Sequence, residues 1–199
     1  MTVALKYPLV LASASPRRQQ LLREWDYDFE VLPAPIAEPH RHDHCPVSAA
    51  AWAESLAWFK AAAVAPLRPD ALILAADTVV EFKHHIVGKP RDLEHAREIL
   101  THHFGGRNDV ITGLALLLPA KNRRLIAHET TSLDIRPMTN EEREAYLASG
   151  AWKDKAGAYA LQEGGDKFVQ AMHGCETNVV GLPKNTLTQL LERIQQDEP

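Results

Sequence analysis

Apolar residues along this chain occur in short blocks separated by polar stretches, and the spacing inside each block predicts its secondary structure. The runs 8–11 and 71–76 contain no charged or hydrogen-bonding side chain, which is typical of strands buried on both faces of a sheet. Two longer blocks, 110–118 and 125–135, are joined at Lys121 and predict a pair of long strands. Shorter strands are predicted over 29–32 and 167–172, with a hairpin tip at 83–85.

Other segments carry helix signals. Pro16 suits a first helical turn, where the N–H that it lacks has no partner anyway. Asp92 is a suitable cap, Thr139 and Glu142 have the spacing of a capping box, and Gly150 is typical of a helix end. The predicted helices cover residues 16–23, 47–64, 92–100, 139–150 and 183–194. Strands interleaved with helices predict an α/β protein, and the two long central strands favour a mixed β-sheet flanked by helices.

Size and composition bound the domain organisation. A chain of 199 residues with 45% hydrophobic content buries one good core, so residues 1–199 are expected to form a single compact domain. No Ser/Gly-rich linker, repeat or low-complexity run divides it. The apolar runs are too short to span a bilayer and no signal-peptide hydrophobic region is present, so a soluble cytoplasmic protein without a membrane partner is expected.

The net charge limits the classes of partner that the chain is expected to bind, and the cysteine content limits its disulfide bonds. The net charge of −4 argues against a broad nucleic-acid surface, because such surfaces are usually basic. An anionic small molecule therefore requires a local cluster of cations. Cys45 and Cys175 allow one disulfide bond at most, and we interpret them as reduced thiols.

The first candidate site follows the first strand. Ser15 stands at the predicted N-cap, before Pro16, where its side chain is placed to accept from an N–H of the first turn. A helix start presents unpaired N–H donors, and Arg17 and Arg18 add forked donors matched to phosphate oxygens, so an anion is expected near Ser13 and Ser15. An ordinary capped helix with solvated arginines is the alternative.

Two more segments carry polar groups next to apolar runs. Asp77 and Thr78 come directly after the run 71–76, where a carboxylate suits metal binding or general-base chemistry, and Lys89 follows the predicted hairpin. Gln162 offers one acceptor and two donors, which suits the edge of a nucleobase. The alternatives are a carboxylate that caps or forms a salt bridge, and a loop amide that is satisfied locally.

Five motifs follow one another along the chain: Ala-Ser-Ala-Ser-Pro-Arg-Arg at 12–18, Asp-Thr-Val-Val at 77–80, Gly-Lys-Pro at 88–90, Asp-Lys-Ala-Gly-Ala-Tyr at 154–159 and Val-Val-Gly-Leu-Pro at 179–183. Taken together and in this order, they resemble the Maf family of nucleoside triphosphate pyrophosphatases, which are also described as septum formation proteins. The resemblance implies hydrolysis of a nucleoside triphosphate to the monophosphate and pyrophosphate, aided by Mg²⁺ or Mn²⁺. It also implies an elongated ITPase/Maf-like molecule with two lobes around a central cleft, and a homodimer.

The resemblance assigns roles to single residues. Asp77 and Glu38 are the implied metal ligands and catalytic carboxylates, although the family commonly has Asp-Glu where this chain has Ala37-Glu38. A metal is also a physical requirement, because an aspartate alone is too weak a base for free water. The residues implied to bind the phosphates are Ser13, Ser15, Arg17 and Arg18, with Lys60 and Lys89 as catalytic cations.

Base selection is implied to involve Thr78 and Gln162 together with Arg17. Thr78 after Asp77 resembles the branch that acts on dTTP and UTP, so these are the expected substrates. Two departures from the family pattern bear on this expectation. The stretch 105–110 is shorter by one residue than its family counterpart, and Gln162 is followed by Glu163 rather than glycine.

A histidine cluster lies outside the family pattern. His40, His42 and His44 stand at alternate positions, so their rings share a face in an extended segment and suit zinc, nickel or copper. Their spacing matches no standard structural zinc site, and a polar loop is the simpler interpretation.

Three functional hypotheses remain open on the sequence. The chain is a nucleotide pyrophosphatase, a nucleotide-binding regulator of cell division without significant turnover, or a phosphatase or transferase of another kind. Catalysis is favoured because Glu38, Lys60, Asp77 and Lys89 are all present, and a protein that only binds nucleotides has little use for Asp77.

Overall fold

The computed structural model describes residues 4–37, 39, 47–102, 104–153, 155–159 and 166–196. The strands are β1 (Leu9–Leu11), β2 (Glu30–Val31), β3 (Leu72–Phe82), β4 (His85–Val87), β5 (Gly106–Leu118), β6 (Arg123–Ile135) and β7 (Val169–His173). The helices are α1 (Pro16–Glu24), α2 (Ala49–Val64), α3 (Leu93–His102), α4 (Asn140–Ser149), α5 (Glu176–Val180) and α6 (Lys184–Gln195). Within the described ranges, no helix combines the length and the apolar composition that crossing a membrane requires.

The strands form one mixed sheet, as predicted. Its order is β2-β1-β3-β5-β6-β7, and β4 pairs with β3 away from this path. β1 runs parallel to β2 and β3, whereas β4 is antiparallel to β3 and β7 is antiparallel to β6. The α/β class with a mixed sheet is therefore confirmed.

β3 is longer than the sequence predicted. It continues without a break from Leu72 to Phe82, so Asp77 lies in the middle of a strand, and the prediction that Asp77 follows the end of a strand is wrong. The physical reason is the β-branched run 78–80, whose side chains favour an extended backbone. The chain reverses at Lys83 and His84, which both have positive φ angles, 48° and 66°, as a two-residue hairpin turn requires.

The predicted helix starts are confirmed at most positions. Asp92 accepts from the N–H of His95 at 2.8 Å, at the start of α3. At the start of α4, the Thr139 hydroxyl accepts from the N–H of Glu142, and the Glu142 carboxylate accepts from the N–H of Thr139. Ser15 is the N-cap of α1, but its side chain makes no capping bond. The short helix α5 was not predicted, because five residues are too few to show a helical period.

By its internal contacts the chain divides into two compact units, which are described separately. Unit 1 comprises Met1–Asp77, Thr112–Glu129 and Gly181–Pro199, and unit 2 comprises Thr78–Ile111 and Thr130–Val180. The predicted single domain with two lobes around a cleft stays a prediction.

In unit 1 an alanine face of α2 packs against the sheet. Ala53, Ala57 and Ala61 are fully buried, at one-turn spacing along the helix. A Cβ placed on Gly113 of β5 would lie 2.3 Å from the backbone carbonyl carbon of Ala53, so glycine is needed there for helix and strand to approach this closely. The other core residues on this side are Val10, Ala12, Val64, Ala71, Ile73, Ala75 and Ala115.

Unit 2 has an aromatic core. Phe104 meets both Tyr159 and Phe168 edge-to-face, with ring centroids 5.5 Å and 5.4 Å apart. Tyr146 meets Phe168 in the same manner, with centroids 6.3 Å apart. Such pairs add to the stabilisation that burial of the rings provides.

Candidate functional site

The loop between β1 and α1 forms the first part of the candidate site in unit 1. The N–H of Ala12 donates to the carbonyl of Leu74 at 2.7 Å, in the parallel register of β1 and β3. Extending this register brings Ser13 level with Ala76, the residue before Asp77. The start of α1, with its unpaired N–H groups and positive dipole end, therefore lies at the level where β3 carries its carboxylate.

Buried hydrogen bonds hold this loop in shape. The Nε of Arg18 donates to the carbonyl of Gly181 at 2.8 Å, and one of its terminal nitrogens donates to the Ser13 hydroxyl at 3.1 Å. The same hydroxyl accepts from the N–H of Ser15 at 3.3 Å. Arg18 is only 9% exposed, and Arg17 is half-buried. The motif that predicted a phosphate site thus also forms the internal frame of the loop, and sequence reasoning missed Gly181 as its acceptor.

Lys60 and Asp77 meet because of the periodicities of α2 and β3. Ile73 and Ala75 are in the core with α2, and the two-residue period of the strand places Asp77 on that same face. Lys60 lies three residues after buried Ala57, at the edge of the buried face of α2. The sequence named both residues, and these two periodicities are the signal that would have predicted their contact.

The two charges form a buried ion pair. The Lys60 Nζ lies 2.5 Å from the Asp77 Oδ1, and the two side chains are 13% and 10% exposed. Removing one member of such a pair leaves an uncompensated buried charge, which costs about 3–5 kcal/mol. The pair therefore fixes a carboxylate beside the β1–α1 loop.

The candidate residues of unit 2 lie in two connected segments. Thr78 is half-buried in β3, and Lys89 is exposed after β4. The carbonyl of Gly88 accepts from the N–H of Gly157 at 3.1 Å, so the Gly-Lys-Pro motif is bonded to the motif at 154–159. Gly157 has a φ of 70°, and a Cβ there would lie 3.2 Å from the Tyr159 ring, which explains why glycine occupies this position.

Unit 2 also buries polar atoms that sequence reasoning did not single out. The amide of Asn108 is fully buried, and neither its nitrogen nor its oxygen has a hydrogen-bond partner among the described residues. The Tyr159 hydroxyl is also buried and has no hydrogen-bond partner among the described residues. Burial raises the pKa of Tyr159, and nearby Tyr146 raises it further. Because a buried polar group without a partner is rare, these atoms are candidates for contacts with other groups.

Several predicted site residues lie outside the described residues. They are Glu38, Gln162, Glu163 and the histidines His40, His42 and His44. Cys45 is also outside them, whereas Cys175 is a free thiol.

Asp77 fits the predicted divalent metal. Mg²⁺ prefers hard oxygen ligands and is usually bound through one or two carboxylates together with substrate phosphates and water. Asp77 supplies such a carboxylate, which is already balanced by a cation. Within the described residues, no group of three or more His, Cys, Asp or Glu side chains is placed to hold a metal ion. An ion at Asp77 would therefore take its other ligands from the substrate, from water or from residues outside the described ranges.

Comparison with known proteins gives a family and a fold. The model of the family described as "Maf-like protein" matches residues 8–194 of this chain. A protein of Ruminiclostridium cellulolyticum named dTTP/UTP pyrophosphatase is 40% identical over 188 residues, which are 94% of this chain and 96% of that protein. A protein of Desulforamulus reducens with the same name is 37% identical over 184 residues, covering 92% and 95% of the two chains.

One solved structure supports the fold alone. The Staphylococcus aureus Ham1 protein aligns with 94% of this chain and 99% of its own, with a TM-score of 0.52 and 16% sequence identity. At this identity the likeness concerns chain topology and not chemistry.

Proposed function

This chain belongs to the Maf-like protein family, as its five motifs predict, and on that premise we propose that it hydrolyses dTTP and UTP to the monophosphate and pyrophosphate. Support comes from the relatives named dTTP/UTP pyrophosphatase, which match nearly the whole chain at about 40% identity. Thr78 in the Asp-Thr-Val-Val motif favours the same substrates.

The buried Lys60–Asp77 pair is the observation that carries the proposal. It holds a carboxylate level with the β1–α1 loop, where the start of α1 and two arginines favour an anion. The site therefore combines a place that favours an anion with a carboxylate at the same level of the sheet. This combination is what a carboxylate that acts on a bound triphosphate requires.

The metal is proposed to be held by Asp77 and Glu38. When bound, Mg²⁺ or Mn²⁺ supplies a more acidic water and neutralises part of the triphosphate charge. Asp77 is proposed to accept the proton of the attacking water.

The remaining residues bind and orient the nucleotide. Ser13, Ser15, Arg17 and Arg18 are proposed to contact the phosphates through the loop that the Ser13 and Gly181 contacts hold in place. Lys60 and Lys89 are proposed to stabilise the negative charge on the departing pyrophosphate, since fixed cations lower the barrier without reorganisation.

Thr78 and Gln162, with Arg17, are proposed to select the base, so Gln162→Ala is expected to change the preference among bases. Modified pyrimidine nucleotides are proposed as further substrates. A homodimer, a cytoplasmic location and the lack of a nucleic-acid partner stay predictions.

The test is pyrophosphate release from a panel of nucleoside triphosphates with Mg²⁺ and with Mn²⁺. We expect release from dTTP and UTP, and we expect Asp77→Asn to lower it at least about 100-fold while nucleotide binding is retained. Asp70→Asn is the matched control, because Asp70 is an exposed aspartate just before the same strand. It should leave release unchanged.

Two outcomes would contradict the proposal. If Asp77→Asn folds and keeps its turnover, Asp77 has no catalytic role. If no triphosphate is hydrolysed although nucleotides bind, the regulatory hypothesis becomes the better one.

A further inference from the structure

The Lys60–Asp77 contact places a monovalent cation where the proposed function requires a divalent one. The ammonium contacts the Asp77 Oδ1 at 2.5 Å, and both side chains are about nine-tenths buried. A buried carboxylate needs a positive partner, because burial penalises the isolated charge. In the nucleotide-free protein the Lys60 ammonium supplies this positive charge to Asp77.

A divalent ion bound by the same carboxylate would lie within a few ångströms of the ammonium. Like charges this close repel strongly in a partly buried setting, where water screens them little. The ion and the ammonium therefore compete for Asp77.

Lysine is suited to such an exchange. Its charge is compact, and its flexible four-carbon stem lets the ammonium turn away while the backbone stays in place. The backbone of α2 is held by the alanine face around Ala53, Ala57 and Ala61, which packs against β5 at Gly113. An arginine fork bonded to both carboxylate oxygens would be harder to displace.

We propose that Lys60 is the resident cation of Asp77, and that a divalent metal ion binds Asp77 only by displacing the Lys60 ammonium. Lys60 is thus a positioning residue that acts through Asp77 before substrate arrives. The displaced ammonium then becomes available to the phosphates of the nucleotide, so metal and nucleotide bind with positive coupling. This inference rests on the proposed function only for the identity of the ion.

The test measures Mn²⁺ binding to the nucleotide-free protein, by the electron paramagnetic resonance signal of free Mn²⁺. Lys60→Met is expected to bind Mn²⁺ at least about tenfold more tightly than the wild type, because a positive charge beside the ion is removed. Lys60→Arg keeps the charge and is expected to bind no more tightly than the wild type. Lys121→Met, at an exposed lysine of unit 1, is the control and should change nothing.

A purely structural role for Lys60 predicts a change of Mn²⁺ affinity in the opposite direction. If Lys60 only holds Asp77 in place, Lys60→Met should weaken Mn²⁺ binding, and an affinity equal to or weaker than that of the wild type overturns the proposal. Lys60→Gln covers the case in which Lys60→Met does not fold, because glutamine keeps a hydrogen-bond donor for Asp77 without the charge. It too should bind Mn²⁺ more tightly.

The outcome is separable from that of the proposed function. Adding Asp77→Asn to Lys60→Gln should abolish the gain in Mn²⁺ affinity, whether or not any nucleotide is hydrolysed. Turnover without tighter Mn²⁺ binding would contradict the exchange and leave the activity intact. Tighter Mn²⁺ binding in a protein that hydrolyses no nucleotide would contradict the activity and leave the exchange intact.

Discussion

The buried polar residues of the unit 1 candidate site all have partners, whereas two buried residues of unit 2 carry polar atoms that have none among the described residues. In unit 1, Ser13, Arg18 and Asp77 are buried and each is bonded to a named partner. In unit 2, Asn108 and Tyr159 bury polar atoms that have no partner among the described residues. A buried polar group left without a hydrogen bond costs about 1–3 kcal/mol. Unit 1 therefore holds its candidate site ready in the absence of ligand, whereas unit 2 carries a cost that a further contact would remove.

The largest expected effect concerns the close packing that supports the unit 1 site. Gly113→Ala adds a Cβ that would lie 2.3–2.5 Å from backbone atoms of Ala53 and Glu54, so α2 must move away from β5. We expect the free energy of unfolding to fall by about 3 kcal/mol, as overpacking typically causes. Urea denaturation measures this loss.

Gly88→Ala in unit 2 is the matched control. Nothing lies within 4 Å of a Cβ at Gly88, and its backbone is not in the left-handed region. We expect a change within about 0.5 kcal/mol. Equal losses for the two variants would mean that the approach of α2 to β5 is not what glycine provides at position 113.

A second pair of variants compares two fully buried asparagines of unit 2. The Asn178 amide nitrogen donates to the Val110 carbonyl and to the Thr131 hydroxyl, both at 2.9 Å. Asn178→Leu removes both of these buried hydrogen bonds and should lower the free energy of unfolding by about 2–3 kcal/mol. Asn108→Leu removes an amide that has no partner among the described residues, so it should raise stability by about 1 kcal/mol.

Opposite signs for the two leucine variants, measured by urea denaturation, would show that a bonded buried amide stabilises unit 2 and that the Asn108 amide carries an uncompensated cost. If Asn108→Leu destabilises as much as Asn178→Leu, the Asn108 amide has a partner outside the described residues. Repeating the measurement with bound nucleotide then tests whether the ligand contributes that partner.

The variant with the smallest expected effect on stability concerns an ion pair of unit 2, which differs from the Lys60–Asp77 pair of unit 1 in its exposure. Lys60 and Asp77 are buried, whereas the Arg136–Glu142 pair of unit 2 is about one-third exposed. Hydrogen bonds from Arg136 and from the Thr139 N–H lower the pKa of Glu142 from 4.5 to about 2. The folded state therefore binds a proton at the Glu142 carboxylate less tightly than the unfolded state does. For this reason the contribution of the Arg136–Glu142 pair to stability is complete above about pH 4.5 and is lost as the pH falls from about 4.5 to 2.

Glu142→Gln should therefore flatten the acid side of the stability profile, measured as the urea midpoint against pH. It should also lower stability slightly at neutral pH, since an exposed pair contributes little. An unchanged acid side would show that other carboxylates govern acid unfolding.

Most of the fold could be predicted from local signals. The capping box at Thr139 and Glu142 and the cap at Asp92 placed α4 and α3 correctly, because both depend on side chains close in sequence. The end of β3 was misplaced because Asp77 is polar, and the β-branched residues after it were not read as part of the same strand. The helix α5 was missed because its stability comes from tertiary contacts such as those of Asn178.

The candidate site was predictable in its residues but not in its contacts. The motifs named Arg18 and Asp77 through their chemistry, and Lys60 was named only through the family resemblance. The acceptor of Arg18 is the backbone carbonyl of Gly181, 163 positions away. Every residue has such a carbonyl, so the sequence does not indicate which one accepts. Asn108 was passed over because only the folded structure reveals that its amide is buried without a partner.

The way the chain divides has a consequence for protein engineering. Unit 2 consists of two separate stretches, and the divisions after Asp77 and Glu129 fall inside continuous strands. No single cut in the gene isolates either unit. A chimera that exchanges unit 2 between family members must therefore exchange both stretches, 78–111 and 130–180, together, with each splice point placed inside a strand or next to Gly181.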